Sequence, residues 1–482
     1  MFLYVGAAIA AAPSTAATDY AVGPGLEFSA IGDVPWEALE PGDRVLVHWR
    51  ATAYNEKWVI ARRGTEQEPI VIRGVPGPGG ELPLIDGRNA TTRPQLDYWN
   101  EERGVIKIGG SSIPADTLPA HIILENLEIR SARPPYDFND DSGTTRTYAD
   151  NAAAIYVEKA EHLTIRNCVL HDAGNGIFIG DFGGQTTDVR IKGNWIYDNG
   201  IVGSAFQHNT YTAAIGIVYE DNLFGSLRAG AEGNNLKDRS AGLVVRYNWI
   251  EDGNRQLDLV DADAEVASEP SYRQTYVYGN VLIESDGEGN SQIVHYGGDS
   301  GDTSQYRKGD LFFYNNTVVS TRSGNTTLLR LSTGDEHADV RNNILYVSAA
   351  GHRLAILDSA GVLDLRNNWL KEGWSDSHSG LSGTINDDGS NIAGSSPGFA
   401  DESLQDFHLS PGSETVGAST TPHAATLPLH LVARHYVKHL RSAPRPTTDD
   451  LGAFELCASS GCGLLFADGF ESADTSAWSA SH

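Results

Sequence analysis

Residues 232–263 read EGNNLKDRSAGLVVRYNWIEDGNRQLDLVDAD. At the centre, a short apolar alternation from Leu243 to Val245 runs into Arg246-Tyr247-Asn248 and then into the pair Trp249-Ile250. In both directions the same unit recurs: alternating apolar residues, an asparagine, then an aromatic or aliphatic pair. The asparagines are Asn126, Asn167, Asn194, Asn222, Asn248, Asn280, Asn316, Asn343 and Asn368, at intervals of 41, 27, 28, 26, 32, 36, 27 and 25 residues. Such a period outranks local signals, because each repeat is one supersecondary unit that buries its apolar face only against its neighbours.

A period in the mid-twenties holds three short strands and three corners, which is one coil of a three-sheet parallel β-helix. Asparagine at a corner adopts a left-handed backbone, and its amide can bond to the asparagines above and below, forming a ladder. Longer intervals place insertions in corners, where closure entropy grows only slowly with length. A β-sandwich with Asn-rich turns would not repeat nine times near one period. Upstream, Arg44–Trp49, Trp58–Arg62, Pro69–Arg73, Val105–Ile108 and His121–Arg130 read as strands closed by Gly or Pro, with no helical period between them. The expected class is all-β: a right-handed parallel β-helix, a three-sheet solenoid with an Asn ladder, over residues 18–456. The ladder explains these asparagines structurally, so none counts as catalytic.

The chain has 35 Lys+Arg against 63 Asp+Glu, a net charge of −28. Such a surface repels nucleic acid and anionic membranes, so neither is an expected partner. It also repels polyanionic sugars at long range, so a groove for them has to be locally basic. Residues 1–17 open with the apolar run MFLYVGAAIAAA, followed by small residues around Ala16 and Ala17. This reads as a signal peptide whose basic start is missing, and implies a secreted, extracellular or periplasmic protein. Of three cysteines, Cys457 and Cys462 bracket a loop that a disulfide could close, and Cys168 reads as a buried small hydrophobe. Residues 457–482 read as a separate tail. The mature protein is expected to be a soluble monomer.

The coils between Asn194 and Asn280 concentrate polar residues. Lys237 and Arg239, two apart, share a strand face, and stacking sets His208 or Tyr211 and Arg255 or Asp258 beside them. Cleaving a uronic acid polymer by β-elimination requires neutralising the carboxylate, removing the C5 proton and protonating the leaving oxygen. Arginines or Ca2+ serve the first need; Lys, His or Tyr the second; Tyr or Arg the third. Lys237, with Arg239 and Arg228 near it, would have a lowered pKa and so serve as base. The catalytic candidates are Lys237, Arg239, His208 and Tyr211. Asn209, Arg228, Arg255 and Asp258 are expected to bind substrate, and Glu232 and Asp261 are candidate metal ligands. No cofactor is required, though Ca2+ is allowed. The acids of DLVDAD offer another chemistry, in which Asp258 and Asp261 act as the paired carboxylates of a glycoside hydrolase. A third possibility is a non-catalytic surface protein whose basic cluster only grips sugar.

LEPGDRVLVHW, GTEQEPIVIRG and LPLIDG resemble the N-terminal coils of secreted right-handed parallel β-helix proteins, among them the alginate lyase and chondroitinase B family of polysaccharide lyases. EGNNLKDRSAGLVVRYNWI is similar to that family's catalytic coil, where a lysine stands nine residues before the ladder asparagine. Arg239 holds that place before Asn248, followed by Ser240, and Lys237 lies two residues earlier. The resemblance implies a polysaccharide lyase acting on an acidic glycan, with Lys237 or Arg239 as base. The arginine the family carries in the next coil is not matched: Leu259-Val260-Asp261 stands there, and Arg255 is the nearest substitute. DFHLSPGSE and DLGAFE resemble closing segments of such β-helices, and LFADGFESADTSAW resembles a short C-terminal tag of secreted bacterial proteins.

Overall fold

In the computed structural model, which describes residues 17–456, the chain winds as a parallel β-helix whose coils stack three long sheets. The first sheet has 13 strands, from Asp19–Val22 to Thr384–Asp387. The second has 11, from Leu84–Asp86 to Ile392–Gly394. The third has 13, from Thr145–Thr147 to Leu354–Ser359, and is parallel apart from its terminal pairing. A single coil shows the construction. Ile215–Glu220 lies in the first sheet, Leu223–Phe224 in the second and Leu236–Asp238 in the third, and Ala241–Arg246 returns to the first with Leu243 opposite Ile217.

Period-two alternation decides what each strand buries. Ile191, Tyr219, Val245, Val277, Phe313, Val340 and Leu365 stand in register across seven coils, all fully buried. Each fully buried aliphatic side chain contributes about 1.5–3 kcal/mol of hydrophobic stabilisation. Among the described residues no helix is long and apolar enough to cross a membrane.

The ladder is present, but it divides two tasks that the sequence reading gave to one residue. The residue after each first-sheet strand takes the left-handed conformation, and the next one carries the ladder amide. Asn126, Asn167, Asp221, Tyr247, Asn315, Asn342 and Asn367 have φ between 50° and 60°. Asn194, Asn222, Asn248, Asn280, Asn316, Asn343 and Asn368 follow that corner, and each donates its Nδ2 to the Oδ1 of the next, the last to Asn391. Asn126 and Asn167 are therefore corner residues rather than rungs, and Leu127 and Cys168 fill the ladder position there. Cys168 is the buried small hydrophobe expected, with burial pushing its thiol up to about 12. The expected leader, the Cys457–Cys462 pair and the tail lie outside the described residues, except for Ala17.

The 32- and 36-residue intervals carry insertions at the corner between the third and first sheets, whereas the 41-residue interval places its extra residues, with the hairpin of Asp137–Asn139 and Thr145–Thr147, between the second-sheet strand Glu128–Arg130 and the third-sheet strand Ala153–Val157. The 32-residue interval holds the short helix Ala264–Ala267 and the turn Pro270–Arg273, and the 36-residue interval holds the loop from Gly297 to Gly309. Both stand beside the third sheet. The segment read as closing coils instead folds back along the helix as two small hairpins, Phe399–Asp401 with Asp406–Leu409 and Arg434–Val437 with Arg441–Pro444. It covers the outer aromatic faces of the first two sheets: His430 stacks on Tyr276 at 3.8 Å, and Phe407 on Trp249 at 5.6 Å.

Candidate active site on the third sheet

Across the third sheet, Tyr156, Phe178, Tyr211, Lys237, Asp258, His295 and Arg330 stand in one register row, about 4.8 Å apart. Their strand neighbours Leu236, Asp238, Leu257 and Leu259 are fully buried, so alternation turns the row outward. Thus Tyr211, Lys237 and Asp258 are brought together by register, from positions 26 and 21 residues apart.

Lys237 donates from Nζ to Asp258 Oδ2 at 2.6 Å and to Asp299 Oδ2 at 2.5 Å. Arg239 donates from Nη2 to Asp299 Oδ1 at 2.8 Å and from Nε to the Tyr211 hydroxyl at 2.8 Å. The two cations therefore share one carboxylate, with a phenol beside the second. Burial alone would raise the Asp299 carboxyl, but Lys237 and Arg239 hold it below the usual carboxylate range. Asp258 is buried deeper. It accepts from Asn234 Nδ2 at 2.9 Å and pairs with His295 Nδ1 at 2.8 Å, and these bonds with Lys237 overcome burial and depress its carboxyl strongly.

A second line of contacts supports the cluster from behind. His295 Nε2 meets Ser332 Oγ at 2.8 Å, completing an Asp258–His295–Ser332 chain. Ser332 is not an open nucleophile, because the Gly298 amide donates to its oxygen at 3.0 Å and a Cβ on Gly297 would strike that hydroxyl at 2.5 Å. Beneath the row, the fully buried Arg307 binds Asp238 Oδ1 at 3.0 Å and Val260 O at 2.8 Å. Its own amide closes the loop by donating to Gly297 O at 2.9 Å. Arg307 thus ties the loop that carries Asp299 to the strand that carries Lys237.

No protein-family profile and no curated protein sequence matches the chain. Among solved structures, an alginate lyase from Paenibacillus sp. str. FPU-7 aligns over 73% of this chain and 99% of its own at 14% identity, with a TM-score of 0.46. A pectate lyase covers 91% of this chain and 96% of its own at 12% identity, with a TM-score of 0.41. A lacto-N-biosidase from Eubacterium ramulus covers 78% and 68% at 12% identity, also with a TM-score of 0.41. Likenesses this distant do not set the chemistry of the site.

The remaining expected site residues divide by position. His208 lies edge-on to the Tyr211 ring at 5.5 Å and accepts the Asn234 amide on Nδ1 at 2.9 Å. It is 2% exposed, and burial, reinforced by the Lys237 charge, pushes it down to about 3. His208 is therefore a neutral support for Tyr211. Arg255 is half-buried and donates to Gln292 Oε1 at 2.8 Å, with Asp258 3.9 Å away. Two substrate-binding expectations fail. Asn209 is fully buried in a second amide chain, accepting from Asn199 at 2.9 Å and donating to Asn235 at 2.5 Å. Arg228 is pinned to Asp172 Oδ1 at 2.9 Å and to the Asp198 carbonyl at 2.8 Å, away from Lys237. Of the two cations expected beside Lys237, Arg239 is there, sharing Asp299 with it, and Arg228 is not; the groups Lys237 bonds to are both carboxylates.

Glu232 is exposed, and Asp261 is engaged within the cluster: its Oδ1 accepts the Asp299 amide at 2.7 Å and lies 3.4 Å from Arg239 Nη1. Among the described residues no group of three or more His, Cys, Asp or Glu side chains converges to hold a metal ion. Sequence reasoning missed Asp299, His295 and Arg307. His295 carried a usable signal, since it stands one coil after Asp258 on the alternating strand Gln292–Tyr296. Asp299 and Arg307 lie in a corner insertion, where no periodicity assigns a facing.

Proposed function

We propose that the protein cleaves an acidic glycan by β-elimination at the outer face of the third sheet. One observation carries this reading: Lys237 and Arg239 converge on the Asp299 carboxylate at 2.5 and 2.8 Å, and the Tyr211 hydroxyl lies 2.8 Å from the same guanidinium. Asp299 stands in for the carboxylate of a uronic acid residue. A substrate carboxylate in its place would be neutralised by the same two cations as negative charge develops at C5. Tyr211, whose oxygen accepts from Arg239 Nε, would take the C5 proton and pass it to the leaving oxygen. The C5–H and C4–O4 bonds break, the C4–C5 double bond forms, and the proton ends on the released sugar. In this scheme Lys237 neutralises charge, and Asp258, held by His295, positions it.

Hydrolysis by paired aspartates has less support, because Asp258 and Asp261 are each only 3% exposed and both are engaged by other groups. The test is incubation with alginate, pectate and chondroitin sulfate, following the ultraviolet absorbance of the unsaturated product alongside new reducing ends. Absorbance rising with reducing ends is the expected result. Reducing ends without absorbance would mean hydrolysis, and binding with neither would mean a glycan-gripping protein; either would overturn the lyase reading.

A further inference from the structure

We propose that the protein carries a second binding site for an acidic saccharide, in a cleft between the first sheet and the C-terminal hairpin segment. The identity of the ligand rests on the acidic-glycan reading of the third-sheet site; the existence of the cleft does not. The cleft encloses about 550 Å³. On its floor three cations share one carboxylate: Arg190 Nε reaches Glu220 Oε1 at 3.0 Å, Lys192 Nζ reaches it at 2.9 Å, and Arg246 Nη2 reaches Oε2 at 2.6 Å. Lys192 also lies 3.2 Å from Asp221. The facing wall supplies Arg434, braced on Ser442 Oγ at 2.8 Å.

Four cations against two carboxylates leave a local charge of 4 − 2 = +2, in a chain whose net charge is −28. Positive charge concentrated in a concavity of an otherwise acidic surface attracts anions selectively. The cations are available, because the Arg190 and Lys192 side chains are 48% and 39% exposed. Arg190 holds Glu220 through Nε and Nη2, which leaves Nη1 for a ligand. The rim adds a second requirement. Leu429 and Leu431 are 80% and 48% exposed and line the same cleft. An apolar rim above a cationic floor suits a sugar ring, whose C–H face packs on leucine while its carboxylate meets the arginines. A bare inorganic anion would use only the floor.

The experiment is calorimetric titration of the full chain with trigalacturonate, trimannuronate, a neutral trisaccharide and inorganic sulfate. Wild-type protein should bind an acidic trisaccharide at two sites. Arg190→Gln/Lys192→Gln should weaken one site by about tenfold or more, the loss expected for charge-assisted bonds, while elimination on short substrates stays unchanged. Leu429→Ser, at an exposed position that leaves Glu220 untouched, should weaken the trisaccharide at that site and leave sulfate binding unchanged. The proposal is overturned if the paired variant, with an unchanged thermal midpoint, binds with wild-type stoichiometry and affinity, or if sulfate or the neutral sugar matches the acidic one. Failure of the third-sheet reading would look different: no elimination on any substrate, with a cleft still sensitive to Arg190 and Lys192.

Discussion

At the scale of single residues, the site works through what surrounds each group rather than through residue type alone. Lys237 in isolation is a plausible base; clamped between Asp258 and Asp299, its ammonium donates to two carboxylates. His208 shows the same dependence. Its ordinary value of 6.5 falls to about 3 because burial and Lys237 penalise the imidazolium. Below pH 6.5 the unfolded chain takes up a proton that the native chain refuses, so this histidine stabilises the fold fully above pH 6.5 and progressively less as pH falls towards 3. The slope for one such proton is about 1.4 kcal/mol per pH unit. Replacing His208 with Gln should therefore flatten the fall of the thermal midpoint between neutral and acidic pH. An unchanged slope would mean that other buried histidines, such as His435, set it. Tyr211, Lys237 and Asp258 were legible as neighbours because period-two facing and the coil repeat are both written in the sequence. The burial of His208 and Asn209 was not, because a polar side chain satisfied inside the core leaves no mark on the apolar pattern.

At the scale of elements, the strands supply Tyr211, Lys237, Asp258 and His295, and a corner insertion supplies the carboxylate of Asp299. The interval of 36 residues between Asn280 and Asn316 signalled an insertion, but not that Asp299 within it would cap two cations. Irregular loops are positioned by their anchors, and the anchor here is Arg307. Its ion pair with Asp238 is completely shielded from solvent, and removing one partner of such a pair typically costs about 3–5 kcal/mol because a charge is left buried and alone. Arg307→Ala should lower the urea unfolding midpoint accordingly and release the Asp299 loop, seen as faster amide exchange across residues 297–309. A midpoint equal to wild type would mean that the loop is held by other contacts. The ladder taught a related lesson. Its period was plain in the sequence, yet Asn126 and Asn167 turned out to be corner residues, because an asparagine suits both the left-handed corner and the amide rung one position later.

At the scale of the whole molecule, a stack of coils builds an extended flat face, and the candidate site lies along a row of it. The third sheet presents stacked aromatic rings at Tyr156 and Phe178, then the Tyr211–Arg239 pair, then the Lys237–Asp258–His295 cluster. A row of this kind suits a polymer lying across the coils. The acidic surface elsewhere makes the local cations more selective, since an acidic chain finds few other places to settle. The central claim is that Tyr211 moves the proton in a β-elimination while Arg239, bonded to it, neutralises the substrate carboxylate. Its most direct test is the initial rate of unsaturated product formation for Tyr211→Phe and Arg239→Ala, on whichever acidic glycan the wild-type protein cleaves. Removing a proton-transfer group costs about 10²–10⁴ in rate, so both variants should lose at least a hundredfold while remaining folded. A folded Tyr211→Phe protein that eliminates at more than half the wild-type rate would contradict the claim.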